Sequence, residues 1–167
     1  GNFKEASAVE VGNIFTLSTK FSDALNLKYK TKEGESKSVF MGSYGIGPGR
    51  VMGTVVEVFS DDKGIIWPES IAPFQVHLLA LGEAEVVLKE ADQIYENLIK
   101  NNIEVLFDDR AGISTGEKFS DADLLGIPLR AVVSARSLKE GGIEIKKRTE
   151  EKGEIVSKDE LLKLLNV

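Results

Sequence analysis

Hydrophobic and polar positions change their rhythm twice along this 167-residue chain. The first part reads in twos. Val11-Gly12-Asn13-Ile14-Phe15-Thr16-Leu17 alternates and is β-branched, which predicts a strand, and Leu27–Thr31 alternates again. Lys32-Glu33-Gly34-Glu35 predicts a hairpin turn with Gly34 at positive φ, and Ser38–Met41 returns as the partner strand. Between the first two strands lies a short polar stretch, 18–25, in which Thr19 or Ser22 can cap a single helical turn. Gly42, Gly45, Gly47 and Gly49 follow the third strand, so a glycine-rich turn hangs from an antiparallel sheet. Arg50–Phe59 then predicts a helix with Val51, Val55, Val58 and Phe59 on its core face, closed by a turn over 60–64.

Pro68 and Pro73 make residues 69–73 an extended, stiff connector, and the rhythm changes beyond it. Gln75–Leu81 predicts a buried strand. Glu83–Asn101 predicts the longest helix, with Val87, Ala91, Ile94, Leu98 and Ile99 on one face, acidic residues at its start and Lys100 at its end. Ile103–Asp108 is a second strand, 110–116 a loop, and Glu117–Leu125 a helix stopped by Gly126 and Pro128. Leu129–Ser134 is a third strand, and Ile143–Thr149 an edge-like strand guarded by charges. A capping box, Ser157-x-x-Glu160, opens a last helix whose core face is Leu161, Leu162, Leu164 and Leu165. The expected fold is mixed α/β: an antiparallel part over 1–68, the connector 69–73, and an α/β domain over 74–167 with a mixed, largely parallel central sheet.

Composition narrows the chemistry. A net charge of −6 and a pI near 5.0 argue against a basic surface that coats nucleic acid, although a local basic patch can sit inside an acidic total. With no cysteine and one histidine, His77, thiolate metal sites and a Ser-His-Asp triad are excluded or improbable. No apolar run reaches the roughly 18–20 residues needed to span a bilayer, and no secretory segment opens the chain. A cytoplasmic protein with no membrane partner is expected. Residues 1–10 carry no clear period, which suits a piece of something longer.

Two constellations carry candidate chemistry. Glycine backbone can lie against a flat or anionic ligand, and Arg50 stands within reach of phosphate charge; a tight turn with an exposed arginine fits the same spacing. Asn13, Thr19 and Ser22 can supply hydrogen bonds from a second wall, or serve simply as strand edge and cap. The antiparallel setting tells against a dinucleotide-binding βαβ unit. The second constellation is Asp108-Asp109-Arg110 with Glu117-Lys118-Phe119, at the carboxyl end of a strand where ligands gather in α/β sheets. Carboxylates there can accept from base edges, Arg110 and Lys118 can hold phosphates, and Phe119 can stack on a splayed base. A solvated loop with a helix-capping aspartate and a core Phe119 accounts for the same residues. No third carboxylate, His or Cys converges there, so no metal site is expected. Lys146-Lys147-Arg148 reads as a charged strand edge or a phosphate contact, His77 as a core or sheet-face histidine, and Trp67 as a packing anchor.

In order and at consistent spacing, three segments resemble the C-terminal part of bacterial-type prolyl-tRNA synthetases: Val11–Ser22, Met41-Gly42-Ser43-Tyr44-Gly45-Ile46-Gly47 with Arg50, and Gly64–Val76. The likeness continues through Asp108-Asp109-Arg110, Gly116–Leu124 and Gly126-Ile127-Pro128. It implies that Gly42–Arg50 is the third signature motif of a class II aminoacyl-tRNA synthetase. Arg50 would then contact ATP phosphates, and Ser43, Tyr44, Gly45 and Gly47 with Asn13, Thr19 and Ser22 would line the ATP and proline pocket. Residues from about Pro73 would form the anticodon-binding domain, with Asp108, Asp109, Arg110, Lys118 and Phe119 near the anticodon bases. Asn13 stands where many members have His, and Pro48-Gly49 replaces a less rigid pair before Arg50. The family's first two motifs and its editing domain lie N-terminal to the matching region, so an incomplete and inactive catalytic site is expected. The full-length enzyme would use ATP and Mg²⁺ to join proline to tRNA-Pro as a homodimer, with neither cofactor expected on this chain alone. A stand-alone tRNA- or RNA-binding regulatory module and a small nucleotide-binding protein are the rival expectations.

Overall fold

The computed structural model describes residues 2–165; Gly1 and residues 166–167, the outer ends of the two expected domains, lie outside the described residues. The chain forms two compact units, Gly1–Val55 and Val56–Val167. This division falls before the proline-bounded connector, and residues 56–74 belong to the second unit.

In the first unit, β1 (Gly12–Ser18) pairs antiparallel with β4 (Met41–Ile46), Asn13 opposite Gly45 and Phe15 opposite Ser43, with a bulge between Thr16 and Ser18. The hairpin of β2 (Lys28–Lys30) and β3 (Ser36–Ser38) turns through Gly34 at φ 85°. The hairpin partner therefore ends at Ser38, and Met41–Ile46 is a separate strand rather than a glycine-rich turn. Its glycines answer to close packing across and along the ribbon. A Cβ on Gly45 would stand 3.0 Å from Asn13 Oδ1, and one on Gly42 would meet the Tyr44 hydroxyl. Helix α1 (Lys20–Ala24) has Thr19 at its N-cap position, yet no side chain caps it; Ser22 lies within the helix, and its hydroxyl donates back to the Thr19 carbonyl. Helix α2 (Pro48–Val58) starts at the proline, whose fixed φ and missing N–H suit a first turn. Its last three residues, 56–58, belong to the second unit, and Val51 and Val55 are half-buried while Val58, 64% exposed, and Phe59 are not, so the expected core face is only partly covered among the described residues.

The second unit is built on a five-stranded sheet in the order β6-β5-β7-β8-β9. Strands β6 (Val105–Asp108), β5 (Val76–Leu81) and β7 (Leu129–Ser134) are parallel; β8 (Ile143–Lys147) and β9 (Glu154–Val156) continue antiparallel. Strand β8 is thus interior, and the short β9 is the edge that the pattern did not mark. On one face, α3 (Glu85–Lys100) packs Val87, Ala91, Ile94 and Leu98 against Val76, Leu78 and Ala80, joined by Leu161 of α6 (Lys158–Leu164). Each such aliphatic side chain contributes about 1.5–3 kcal/mol by leaving water. Ile99, one position past Leu98, rotates out of that stripe and is 45% exposed, and Leu164 likewise faces outward. On the other face, α4 (Thr115–Leu125) packs Ala122 and Phe119 against Leu79 and Val132. It begins two residues earlier than the pattern suggests, because Ser114 accepts the Glu117 N–H as a cap. A short helix the pattern missed, α5 (Ala135–Lys139), is opened by reciprocal Ser134–Ser137 bonds.

Helix α4 ends at Gly126 in the left-handed region, φ 72°. There the strap of residues 65–67 crosses it: the Ile65 N–H donates to Leu124 O, and the Trp67 N–H donates to Gly126 O. Arg148, 8% exposed, holds the turn before the strap by a two-pronged pair to Asp61, at 2.9 and 2.6 Å, while its Nε donates to Asp123 O. It is therefore neither a solvated strand end nor a free phosphate contact. A Cβ on Gly126 would lie 1.9 Å from Ile65 O. We predict that Gly126→Ala loses at least about 2 kcal/mol in urea unfolding, through left-handed strain and the clash with the strap. Gly116→Ala, in the first turn of the same helix with open space around it, gains up to about 1 kcal/mol.

Candidate functional site

The ribbon of the first unit divides the residues expected at its pocket. Antiparallel partners share a face, so Asn13, Phe15, Ser43 and Gly45 lie together, while Ile14 and Tyr44 project to the opposite face. Asn13, Gly45, Gly47 and Arg50 line one open depression with Glu10. The Arg50 Nη1 donates to the Glu10 carbonyl at 2.8 Å and lies 3.8 Å from its carboxylate. Ser22 is fully buried with its hydroxyl spent inside α1, and Thr19 sits at that helix's start. The depression therefore gathers Asn13, Gly45, Gly47 and Arg50, and Tyr44 stands apart from them.

In the second unit, the carboxyl end of β6 carries a tight charge network. Asp108, nearly buried, accepts from Arg110 Nε at 2.9 Å and Nη2 at 2.8 Å, and from the Arg110 backbone N–H. Arg110 also donates to Asp121 at 2.7 Å. Hydrogen bonding from Arg110 holds the Asp108 carboxyl down at about 2, against the opposing effect of burial, and both carboxylates push the Arg110 guanidinium up. Lys118 is 3% exposed: its ammonium donates to Ala80 O at 2.9 Å and Asp108 O at 3.2 Å, and lies 3.4 Å from the Asp108 carboxylate. That cation joins β5, β6 and α4, and holds no outward face for a phosphate. Asp109 and Arg110 form the exposed rim.

The β7 side of α4 holds an arrangement that the sequence reading missed. The Arg130 guanidinium lies 4.4 Å from the centre of the Phe119 ring and pairs with Asp123 at 3.2 Å. Its Nε is buried with no partner, and burial lowers its pKa. Phe119 and Asp123 are one helical turn apart, and Arg130 interrupts an otherwise apolar strand; those two signals could have found the group. Beside Arg130, on the adjacent strand β5, is His77, 3% exposed with its Nδ1 unpartnered. Burial pushes the imidazole down to about 4, only partly opposed by Asp108, so it is neutral at pH 7. Among the described residues no group of three or more His, Cys, Asp or Glu could hold a metal, and no helix is long and apolar enough to cross a membrane.

Residues 75–167 match the anticodon binding domain family. Over 163 residues, 97% of its length, the chain is 45% identical to a protein of Dehalococcoides mccartyi named proline--tRNA ligase. It is 48% identical over 158 residues to the protein of that name from Persephonella marina, and 47% identical over 148 residues to that from Halothermothrix orenii. These matches cover 94% and 89% of the chain. The chain spans only 28%, 28% and 26% of the length of these three relatives.

His77 gives the second unit a defined pH response. The unfolded imidazole takes a proton near pH 6.5 and the folded one near 4, so stability is complete above 6.5 and falls as pH drops through that window. We predict a loss of about 3 kcal/mol from this group between pH 7 and pH 4, read by urea unfolding. His77→Leu flattens the profile between pH 6.5 and 5; an unchanged slope there refutes the assignment.

Proposed function

We propose a function from one premise: the chain belongs to the anticodon binding domain family. Residues 74–167 recognise the anticodon of tRNA-Pro, and residues 1–68 form part of a proline–tRNA ligase catalytic core joined through 69–73. The full-length protein is a cytoplasmic homodimer that activates proline with ATP and Mg²⁺ and transfers it to tRNA-Pro. The three similar ligases, alike over nearly the whole chain, support this reading.

The observation that carries the recognition role is the Arg130–Phe119–Asp123 group. A guanidinium laid on an aromatic ring offers a flat cationic platform on which an unstacked base can stack. Its N–H groups donate to base carbonyl or ring-nitrogen acceptors, and Asp123 accepts from an amino or imino N–H. Asp109 and Arg110 stand at the rim toward the RNA, while Lys118 positions Asp108 and α4 from beneath. In the first unit, Arg50 supplies one phosphate contact, and Asn13, Gly45 and Gly47 supply backbone and amide edges to the adenylate and proline. Ser43 extends that same face. Thr19, Ser22 and Tyr44 support the pocket from positions further off.

A titration of the full chain with tRNA-Pro, intact and with its anticodon replaced, tests the reading. Intact tRNA is expected to bind at least about tenfold tighter, and Arg130→Met to erase most of that difference. Equal affinity for the two tRNAs rejects anticodon recognition.

A further inference from the structure

The last carbonyls of a helix lack partners from within it, and in α4 they fall on the turn that carries Asp123. The Gly126 N–H reaches back only to Ala122 O. Two of the others are served from outside: Arg148 Nε donates to Asp123 O at 3.0 Å, and the Ile65 N–H donates to Leu124 O at 3.1 Å. The turn over 61–64 seats against the same place, where a Cβ on Gly64 would stand 2.4 Å from Leu124 Cα. Helix ends fray without such partners, yet this end carries the carboxylate that pairs with Arg130. Asp123 is thus gripped twice, by its side chain from Arg130 and by its backbone from Arg148. Both arginines are tied to the sheet: Arg130 lies in β7 opposite Lys146, and Arg148 follows β8 directly, its N–H donating to Pro128 O. The charge of Asp123 acts on both, so an unpaired Arg148 would compete with Arg130 for that carboxylate. Asp61 removes the competition by occupying Nη1 and Nη2, which leaves Nε for the carbonyl. Lys118 already fixes the first turns of α4, so this clasp acts on the last one.

We propose that Arg148 and Asp61 are positioning residues for base discrimination: they hold the last turn of α4 so that Asp123 faces Arg130 at the spacing a base edge meets. This role rests on the RNA-recognition reading and gives it two residues that touch no RNA. The clasp acts on the choice between bases and not on attraction of the RNA, because Arg148 is buried and its charge is spent on Asp61. Linkage makes the effect mutual. A base seated against Asp123 and Arg130 steadies the turn, and with it the strap hydrogen bonds of Ile65 and Trp67.

The full chain and its Asp61→Asn and Arg148→Met variants are titrated with tRNA-Pro, intact and with its anticodon replaced, and amide hydrogen exchange is followed in each complex. Asp61→Asn keeps the shape of the side chain and an oxygen for the Lys63 and Gly64 N–H groups. Both variants are expected to bind the anticodon-replaced tRNA like the parent. Their preference for intact tRNA narrows from about tenfold to about threefold or less. In the parent, intact tRNA slows exchange at the Ile65 and Trp67 amides at least about threefold, and the replaced tRNA does not. Core amides of β5 report whether a variant is folded; should Arg148→Met lose their protection, Asp61→Asn and the exchange of the parent decide. Strap amides that exchange alike in both complexes overturn the positioning role and leave anticodon recognition standing. So does a folded variant that discriminates like the parent or weakens both tRNAs equally. Equal affinity of the parent for the two tRNAs overturns both readings.

Discussion

The second unit depends on where one ammonium group is buried. Lys118 reaches down from α4 to two backbone carbonyls, one at the end of β5 and one at the end of β6, with the Asp108 carboxylate beside it. Taking an ammonium out of water costs several kcal/mol, offset here by two carbonyl acceptors and a carboxylate that is itself bound by Arg110. An apolar residue could fill that space but could not choose one height for the helix along the sheet. The crossover from β6 to β7 passes over β5, so α4 would otherwise lie on a smooth apolar floor of Leu79 and Val132. Fixing its first turns to the strand ends sets Phe119 and Asp123 on the β7 side and Asp121 and Leu125 on the β6 side. At its other end Gly126 receives the strap, and Arg148 anchors the turn before that strap to Asp61. The helix is pinned twice, by charge at the top and by backbone contact at the bottom.

That scheme also explains what could be read from the sequence. Periodicity found β5, α3, β6, α4 and β7, because apolar residues recur there at the spacing of a strand or helix buried on a sheet. It found the Ser157–Glu160 cap because both side chains bond each other's backbone locally. It could not find that β8 is interior, since the three-residue β9 that covers it has too few positions to show alternation. Met41–Ile46 looked like a turn because glycine is a poor strand former; the reasons for Gly42 and Gly45 lie in Tyr44 and Asn13. Lys118 and Arg148 read as surface cations because charge alone does not report burial, and their partners lie 10 to 87 residues away. The Arg130 group escaped notice for a related reason. Its ring and carboxylate belong to one helix, and its cation belongs to the next strand.

The first unit shows the reverse relation between pattern and packing. Its helix α2 has an apolar stripe and buries none of it fully, and Ile14, Tyr44 and Ile46 on one ribbon face are each more than 70% exposed. The sequence signal for a core face is therefore real, while the described residues cover it only in part. Exposed apolar area of this kind marks a surface built to be covered. The similar ligases, of which the chain spans 26–28%, have ample chain to cover it. The proposed catalytic role of Arg50 follows the same logic, since one arginine on an open depression contributes charge from one side only.

Charge in the proposed RNA site is arranged for selection more than for capture. The chain carries a net −6, and Arg110, Arg130 and Lys118 are each already paired with a carboxylate. A paired cation attracts phosphate weakly at long range, because the carboxylate beside it cancels most of its field there. At contact distance the same pair becomes a donor and an acceptor at fixed spacing, which suits a base edge and no phosphate. A base that meets both groups replaces the Arg130–Asp123 interaction with two of its own. One that matches only one strands the other, buried and unpaired. Discrimination thus comes from the cost of the wrong base, which a site of free lysines would not impose.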